Sequence, residues 1–433
     1  MGVKFEFAAH GCDIKTLSLL LDYELGLVIS TASFSACQLD GAMEISRISI
    51  VGGGIGGLTA ALALQHFGYQ VSVFEQTNEL REIGAGVTIT PNAMHALNFF
   101  GIGKRVANEA GPTDAYLIRH FQTGDIIKVR ANGRDYVERF GADYHQVHRA
   151  DLHAALAEAI LGNDPNCVFL GHCFDSLKQS SEHVIATFTN GRIVTSDVLI
   201  GCDGATSKVR ANVFGDEVVN YSGQVAFRAL LPMANVPASI RERPLALFVG
   251  IKRVLMHYPL RHRTIMNVLG VAREASWQEE GWRIRATIEE FENLYSDLYP
   301  PALHLIRAIS PRMLFKWGLR DREPLQRYTK GRVTMLGDAA HPMSPFLGQG
   351  ACIAIEDATV LGRAFALAST FQEAFTIYEN TRKARANGVQ LASRQQADEL
   401  QGVTKRGPNP GANADDRGLY LYDPVTVPLT LPV

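Results

Sequence analysis

Residues 48 to 75 leave the fold little freedom. Ile48-Ser49-Ile50-Val51 is a short apolar run, and Gly52-Gly53-Gly54-Ile55-Gly56-Gly57 follows at once. An apolar stretch from Leu58 to Phe67 ends at Gly68, and a second short run, Gln70 to Phe74, closes on Glu75. The order reads strand, glycine turn, helix, strand, which is a parallel βαβ unit. Gly52 permits the tight turn, Gly54 lets backbone approach a pyrophosphate, and Gly57 allows the helix to pack closely on the strand. Gly56 belongs to the same cradle. Glu75, eighteen residues after Gly57, is placed to take both hydroxyls of a ribose. This motif by itself does not separate NAD from FAD.

A second segment narrows the choice. Arg332 to Leu336 reads as a strand that delivers Asp338 to a point where it can accept hydrogen bonds from a ribose or ribityl hydroxyl. Pro342 and Pro345 stiffen the loop that follows. Gly348 and Gly350 then leave backbone amides uncovered at a helix start, where partial positive charge favours an anion. A reduced flavin carries such a charge on its pyrimidine edge, so the pair of segments points to FAD.

The rest of the composition agrees. A chain of 433 residues, 46% hydrophobic, can bury a large core and is expected to form two domains. A net charge of −2 without a long basic run makes nucleic acid and anionic membranes poor partners. No apolar run reaches the ~18 residues of a spanning helix. Cys12, Cys37, Cys167, Cys173, Cys202 and Cys352 make no paired metal or redox motif, so no metal is expected and a reducing cytoplasm is the simplest setting. Leu17 to Cys37 is moderately apolar but interrupted by Asp22 and Glu24, and it lacks the basic start of a signal peptide. Residues 1–42 are therefore expected to be a dispensable extension ahead of Met43.

Along the chain, Pro91 opens a helix to Phe100, and Asp151 is expected to cap another running through Ile160. His183 to Thr189, Asn190-Gly191 and Arg192 to Thr195 form a hairpin signal. Val198-Leu199-Ile200 leads to Gly201-Cys202-Asp203-Gly204, a further strand ending in an acid and a glycine. Between 216 and 270 the pattern turns to strands, at Gln224 to Leu231, Leu245 to Ile251, Arg253 to Tyr258 and Thr264 to Val271. They read as an antiparallel sheet inserted into the nucleotide-binding fold, followed by a helix at 282–298. A long helix is expected at 371–399 and a loop at Arg406 to Asn413.

The three motifs in this order resemble the single-component FAD-dependent aromatic hydroxylases, among them those acting on salicylate, 3-hydroxybenzoate and 6-hydroxynicotinate. The likeness extends to Ile83-Gly84-Ala85-Gly86, Val147-His148-Arg149-Ala150-Asp151-Leu152, His257-Tyr258-Pro259-Leu260 and Tyr420-Leu421-Tyr422-Asp423. The resemblance implies an α/β fold: a Rossmann-like FAD-binding domain of the p-hydroxybenzoate hydroxylase type with an inserted antiparallel β-sheet substrate domain. Its segments would be 43–112, 144–215 and 320–399 for FAD, 113–143 and 216–319 for substrate, and a tail at 400–433. It also implies that Glu75 and Gln76 bind the adenosine ribose, Arg149 the ribityl-phosphate region, Phe174 the adenine side, Asp338 the ribityl chain, and Ala351 the isoalloxazine edge, with Gly350 in the cofactor site at the helix start. Asp203 would serve FAD and an incoming nicotinamide together. NADH or NADPH would bind transiently, which suits a chain with a single fingerprint. Arg210 can be read as part of that site or as a surface ion-pair partner.

The pyridine-hydroxylating relatives are expected to have histidines where this chain has Thr88, still counted with the cofactor site, and Phe227. Their absence moves the expected substrate toward a monocyclic phenol with a carboxylate, salicylate or 3-hydroxybenzoate-like, held by Arg228 or another cation. The implied reaction consumes O2 and NAD(P)H through a flavin hydroperoxide, and a ring carbon becomes a good nucleophile once a neighbouring hydroxyl ionises. A base or fixed positive charge must favour that phenolate. His257 is expected as the base with Tyr258 as its hydrogen-bonding neighbour, although strand alternation lets only one of them face the ring. Met256, Phe227, Leu230, Met343 and Phe346 are expected to line an apolar pocket. His341 is expected to be structural. An oxidase or epoxidase acting on another metabolite, or a flavoprotein without turnover, stays open on the same scaffold, as does monomer against homodimer. Deleting residues 1–42 should leave solubility and the flavin absorbance spectrum unchanged; an insoluble or colourless product would show that the extension is part of the core.

Overall fold

The computed structural model describes residues 47–80, 85–110, 115–130, 134–215, 219–242, 245–279, 281, 284–403 and 414–432. The expected extension at 1–42, the Ile83-Gly84 pair and the expected loop at 406–413 lie outside them. A six-stranded sheet runs in the order Thr329–Lys330, Val333–Met335, Val198–Gly201, Ile48–Val51, Val71–Phe74, Val168–Phe169. Its pairs are parallel except at the Thr329–Lys330 edge. The central strands are buried along their length, as continuous β-branched runs demand of a sheet covered on both faces. The helix Ile55–His66 packs on this sheet, and Gly350–Leu367 packs on that helix. The carboxyl ends of its four inner strands carry Gly52, Glu75, Asp203 and Asp338 to one edge, the place where open parallel sheets bind ligands.

The second sheet has eight strands, in the order Ile284–Arg285, Leu314–Asp321, Asn220–Pro232, Ile265–Arg273, Arg253–Leu260, Ala246–Gly250, Tyr116–His120, Ile126–Arg130. It is antiparallel as expected, save that Ala246–Gly250 and Tyr116–His120 run parallel. One face packs beneath the helices Ile288–Leu294 and Pro300–Arg307 with a core of Phe227, Leu255, Val268, Phe291 and Ile306. The expected helix at 282–298 is shorter: Thr287 and Glu290 form a reciprocal capping box, so the helix cannot begin earlier. The expected hairpin is present as Val184–Phe188 paired with Ile193–Ser196.

Asp151 does not cap the helix at Arg149–Asn163. His148 does, its Nδ1 accepting from the Ala150 amide at 3.3 Å, while Asp151 pairs with Arg261 at 2.6 Å. The long helix Phe371–Leu400 follows expectation, and its polar interior does not. Arg382 lies fully buried between Asp357 (2.8 Å) and Glu356 (2.7 Å), two successive acids of the Gly350–Leu367 helix. Arg385 doubles the bond to Glu356 at 2.7 Å. Asp357 also accepts from the Gly337 amide at 3.2 Å and bonds to the His341 ring at 2.5 Å. Burial alone would raise the Asp357 carboxyl, but His341 and Arg382 outweigh it and hold it below its ordinary value. Its contribution to stability is therefore present above the unfolded-state pKa of about 3.9 and lost as pH falls through the lower folded-state value.

Removing Arg382 leaves two buried carboxylates without their shared counter-charge. Arg382→Ala should cost about 3–5 kcal/mol in urea unfolding. A loss below about 1 kcal/mol, the range of exposed pairs, would show the network to be incidental.

Candidate active site

The glycine turn forms as its spacing requires. Gly52 has φ +108°, and a Cβ there would stand 2.3 Å from the Cys202 carbonyl oxygen. A Cβ on Gly57 would meet the Gly52 oxygen at 1.9 Å, so the helix can approach only without a side chain. Gly54 faces open space, with nothing within 4 Å of an added Cβ. It also caps a twelve-residue helix that has neither a side-chain cap nor an acid in its first turn. Bare amides beside an empty cradle suit a pyrophosphate. Glu75 accepts from the Gly53 amide at 2.7 Å and the Thr77 amide at 2.9 Å. His153, which the sequence did not single out, ties the Arg149–Asn163 helix to this turn through its Nε2 and the Gly53 oxygen at 2.7 Å.

The second helix start is built alike. Gln349 caps Gly350–Leu367 through backbone alone, and no acid lies in the first turn. It is braced by buried polar side chains: Asn92 donates to Gln349 at 3.0 Å and to Glu356 at 2.6 Å, and Gln349 donates to Thr90 at 3.1 Å. Asp338 stands open to the cavity before this helix, with Gly350 beside its Oδ1. The protein around it raises its carboxyl above the usual range, with His341 and Arg149 pulling the other way. The residues at both ends thus fit FAD: cradle, acid and bare helix start at each.

The cavity between the two sheets measures about 270 Å³. It gathers Thr88, Arg149, Tyr258, Asp338, Gly350 and Ala351 from the expected set. Gly52, Gly54, Gly56, Gly57, Glu75, Gln76 and Asp203 belong to the turn region instead. Asp203 is engaged locally, accepting from Ser207 Oγ at 2.5 Å and the Val209 amide at 3.0 Å. Phe174 is buried edge-on against Phe188 within the core, so its side chain is packing. Arg210 is no surface partner: it is 1% exposed and donates to the Ala340 carbonyl at 3.0 Å, behind the Asp338 turn. His341 is structural as expected, through Asp357.

The apolar floor is corrected in part. Met256, Met343 and Phe346 line the cavity. Phe227 stacks on Phe291 at 4.8 Å on the opposite sheet face, and Leu230 packs at the edge with Leu245 and Leu260. Alternation also decides between His257 and Tyr258. Met256 and Tyr258 face the cavity, whereas His257 shares the other face with Leu255, its ring 5.9 Å from Phe248. The expectation of His257 as the base fails on this geometry, and among the described residues no histidine lines the cavity.

Tyr258 is buried, and burial pushes its hydroxyl up to about 12 although Arg228 pulls it down. Its ring lies directly on Gly86, where a Cβ would come within 2.2 Å of it. Arg228 rests over Trp317 at 5.2 Å, and its buried Nε has no hydrogen-bond partner. Arg130 and the phenols Tyr116, Tyr136, Tyr144 and Tyr420 form the far wall.

The FAD binding domain family matches residues 46–393. A 3-hydroxybenzoate 6-hydroxylase of Polaromonas naphthalenivorans (strain CJ2) is 35% identical over 350 residues, covering 80% of this chain and 86% of that protein. A 6-hydroxynicotinate 3-monooxygenase of Pseudomonas fluorescens is 34% identical over 353 residues, with 80% and 90% covered. Among solved structures, Klebsiella pneumoniae HpxO complexed with FAD and uric acid superposes with a TM-score of 0.74 at 27% identity, covering 83% of this chain and 90% of that one.

Asp338→Ala should weaken FAD by about 1.5–3 kcal/mol, at least about tenfold, because a charge-assisted bond in a protein-walled site is lost. Flavin release on dilution, followed by fluorescence, measures it. Affinity equal to wild type would remove Asp338 from the site.

Proposed function

Because the chain belongs to the FAD-binding family of single-component aromatic hydroxylases, we propose that it hydroxylates a monocyclic phenol bearing a carboxylate, with NAD(P)H and O2 as co-substrates. The observation that carries this reading is Arg228, a guanidinium with an unpartnered buried Nε on an otherwise apolar floor of Leu247, Met256 and Leu269. A ring acid satisfies both: its carboxylate meets the cation and its ring covers the floor. FAD, once bound and reduced by NAD(P)H, would supply the electrons that activate O2, one atom of which reaches the ring while the other leaves as water.

The chain's own part is to orient the phenol and to favour its ionised form. With His257 turned away, the field of Arg228 and Arg149 favours the phenolate by lowering the pKa of a bound phenol, and the released proton passes to solvent water. Tyr258 remains protonated at neutral pH, so it serves as a hydrogen-bond donor to the forming phenolate oxygen. Thr88 and Gln146 hold each other at 3.0 Å beside Gly348, keeping the loop next to the ring site ordered.

Screening hydroxybenzoates for stimulated NAD(P)H oxidation, with product identification, tests the reaction. Arg228→Gln should lower kcat/KM for the best acid by at least about thirtyfold, or 2 kcal/mol, and move the rising limb of the pH profile upward, because the phenol then ionises less readily. A profile unmoved by this change would assign the proton to another group, and no stimulation by any hydroxybenzoate would overturn the substrate class.

A further inference from the structure

Arg130 sits at the far end of the same cavity and is almost as buried as the core, at 8% exposure. One of its nitrogens bonds to Asp416 at 3.1 Å, while Nε and another terminal nitrogen have no partner. The hydroxyls of Tyr116 and Tyr420 beside it have no hydrogen bond to protein among the described residues, and Tyr136 completes the wall. Buried donors left without acceptors are costly unless a ligand satisfies them. Arg130 and Arg228 stand on strands third and eighth in the sheet order, five spacings apart. At about 4.8 Å per spacing that is ~24 Å along the sheet, so a single carboxylate cannot serve both.

We infer that Arg130, with the hydroxyls of Tyr116 and Tyr420, forms a second oxyanion subsite for an acidic substituent on the edge of the substrate remote from its Arg228-bound carboxylate. The inference rests on the proposed phenolic acid and refines it to a hydroxyaromatic diacid. Guanidinium N–H groups can only donate, and the two phenols can donate beside them, so the positive, donor-rich set favours an oxyanion over an ammonium group. Asp416, itself partly exposed, holds one edge of the guanidinium and leaves the other toward the cavity.

The holoenzyme tests it with two compounds: 3-hydroxybenzoate, and 3-hydroxybenzoate carrying across the ring an ω-carboxyalkyl chain long enough to bring its carboxylate from the Arg228 site to Arg130. Dissociation constants come from the flavin absorbance change on binding, so turnover is not needed. Wild type should bind the diacid at least about tenfold more tightly, the value of a charge-assisted bond, and Arg130→Gln should bring the ratio near one. Asp416→Asn should keep the ratio, which separates ligand contact from the loss of a surface pair. Equal affinities in wild type, a ratio that survives Arg130→Gln, or one that falls equally in Asp416→Asn would each overturn the second subsite while leaving the phenolic-acid reading intact. Binding of neither compound would overturn both.

Discussion

The buried charge cluster at Asp357 organises the cleft. This one carboxylate answers the Gly337 amide, the His341 ring and Arg382, so it fixes in a single contact the turn that carries Asp338, the stiff loop after it, and the docking of the longest helix. Charge so deep is costly unless every partner is present. Here Glu356 and Arg385 complete the neutralisation one residue along. A geometry held by this many simultaneous bonds has few alternatives, and a cofactor acid needs that rigidity.

Charge is distributed unevenly across the cavity. Among the described residues, three arginines reach its wall against one acid, Asp338. An anion entering such a space is drawn in before it is recognised, and once there it finds little water to compete with the protein. The tyrosines add polar edges without adding charge. Burial pushes the Tyr136 hydroxyl up to about 12 and raises that of Tyr144 as well, so both remain neutral donors.

Much of this was legible in the chain. The glycine spacings at 52 to 57 and the acids at 75 and 338 are read from local rules, because a turn that needs φ above zero or a helix that needs close approach leaves few residue choices. The inserted sheet was legible from alternation. What sequence could not settle was the phase of that alternation against the cavity, and this is why His257 was favoured although Tyr258 faces the site. Arg382 and His153 were missed, and the burial of Arg210 was not seen, for a related reason: a charged or polar side chain looks solvated in one dimension, and only packing reveals that its partners are backbone carbonyls or buried acids. The pair Glu356-Asp357 inside an apolar helix was the available signal, since two adjacent acids amid buried residues require a buried cation.

The seating of Tyr258 on Gly86 reaches beyond catalysis. Gly86 opens the short strand Gly86–Ile89 and lies across from His148, next to Arg149, and its amide is also held by Asn267 at 3.1 Å, the residue paired across from Tyr258 in the sheet. The interface between the cofactor layer and the substrate layer is thus a bare backbone pressed against one aromatic ring. A floor with a different side chain at position 258 would meet that bare backbone with another reach, and the glycine leaves no side chain of its own to adjust. The two layers must therefore drift together over evolutionary time, and a change of substrate is easier at the rim, among the phenols and Arg130, than at the centre where the layers interlock.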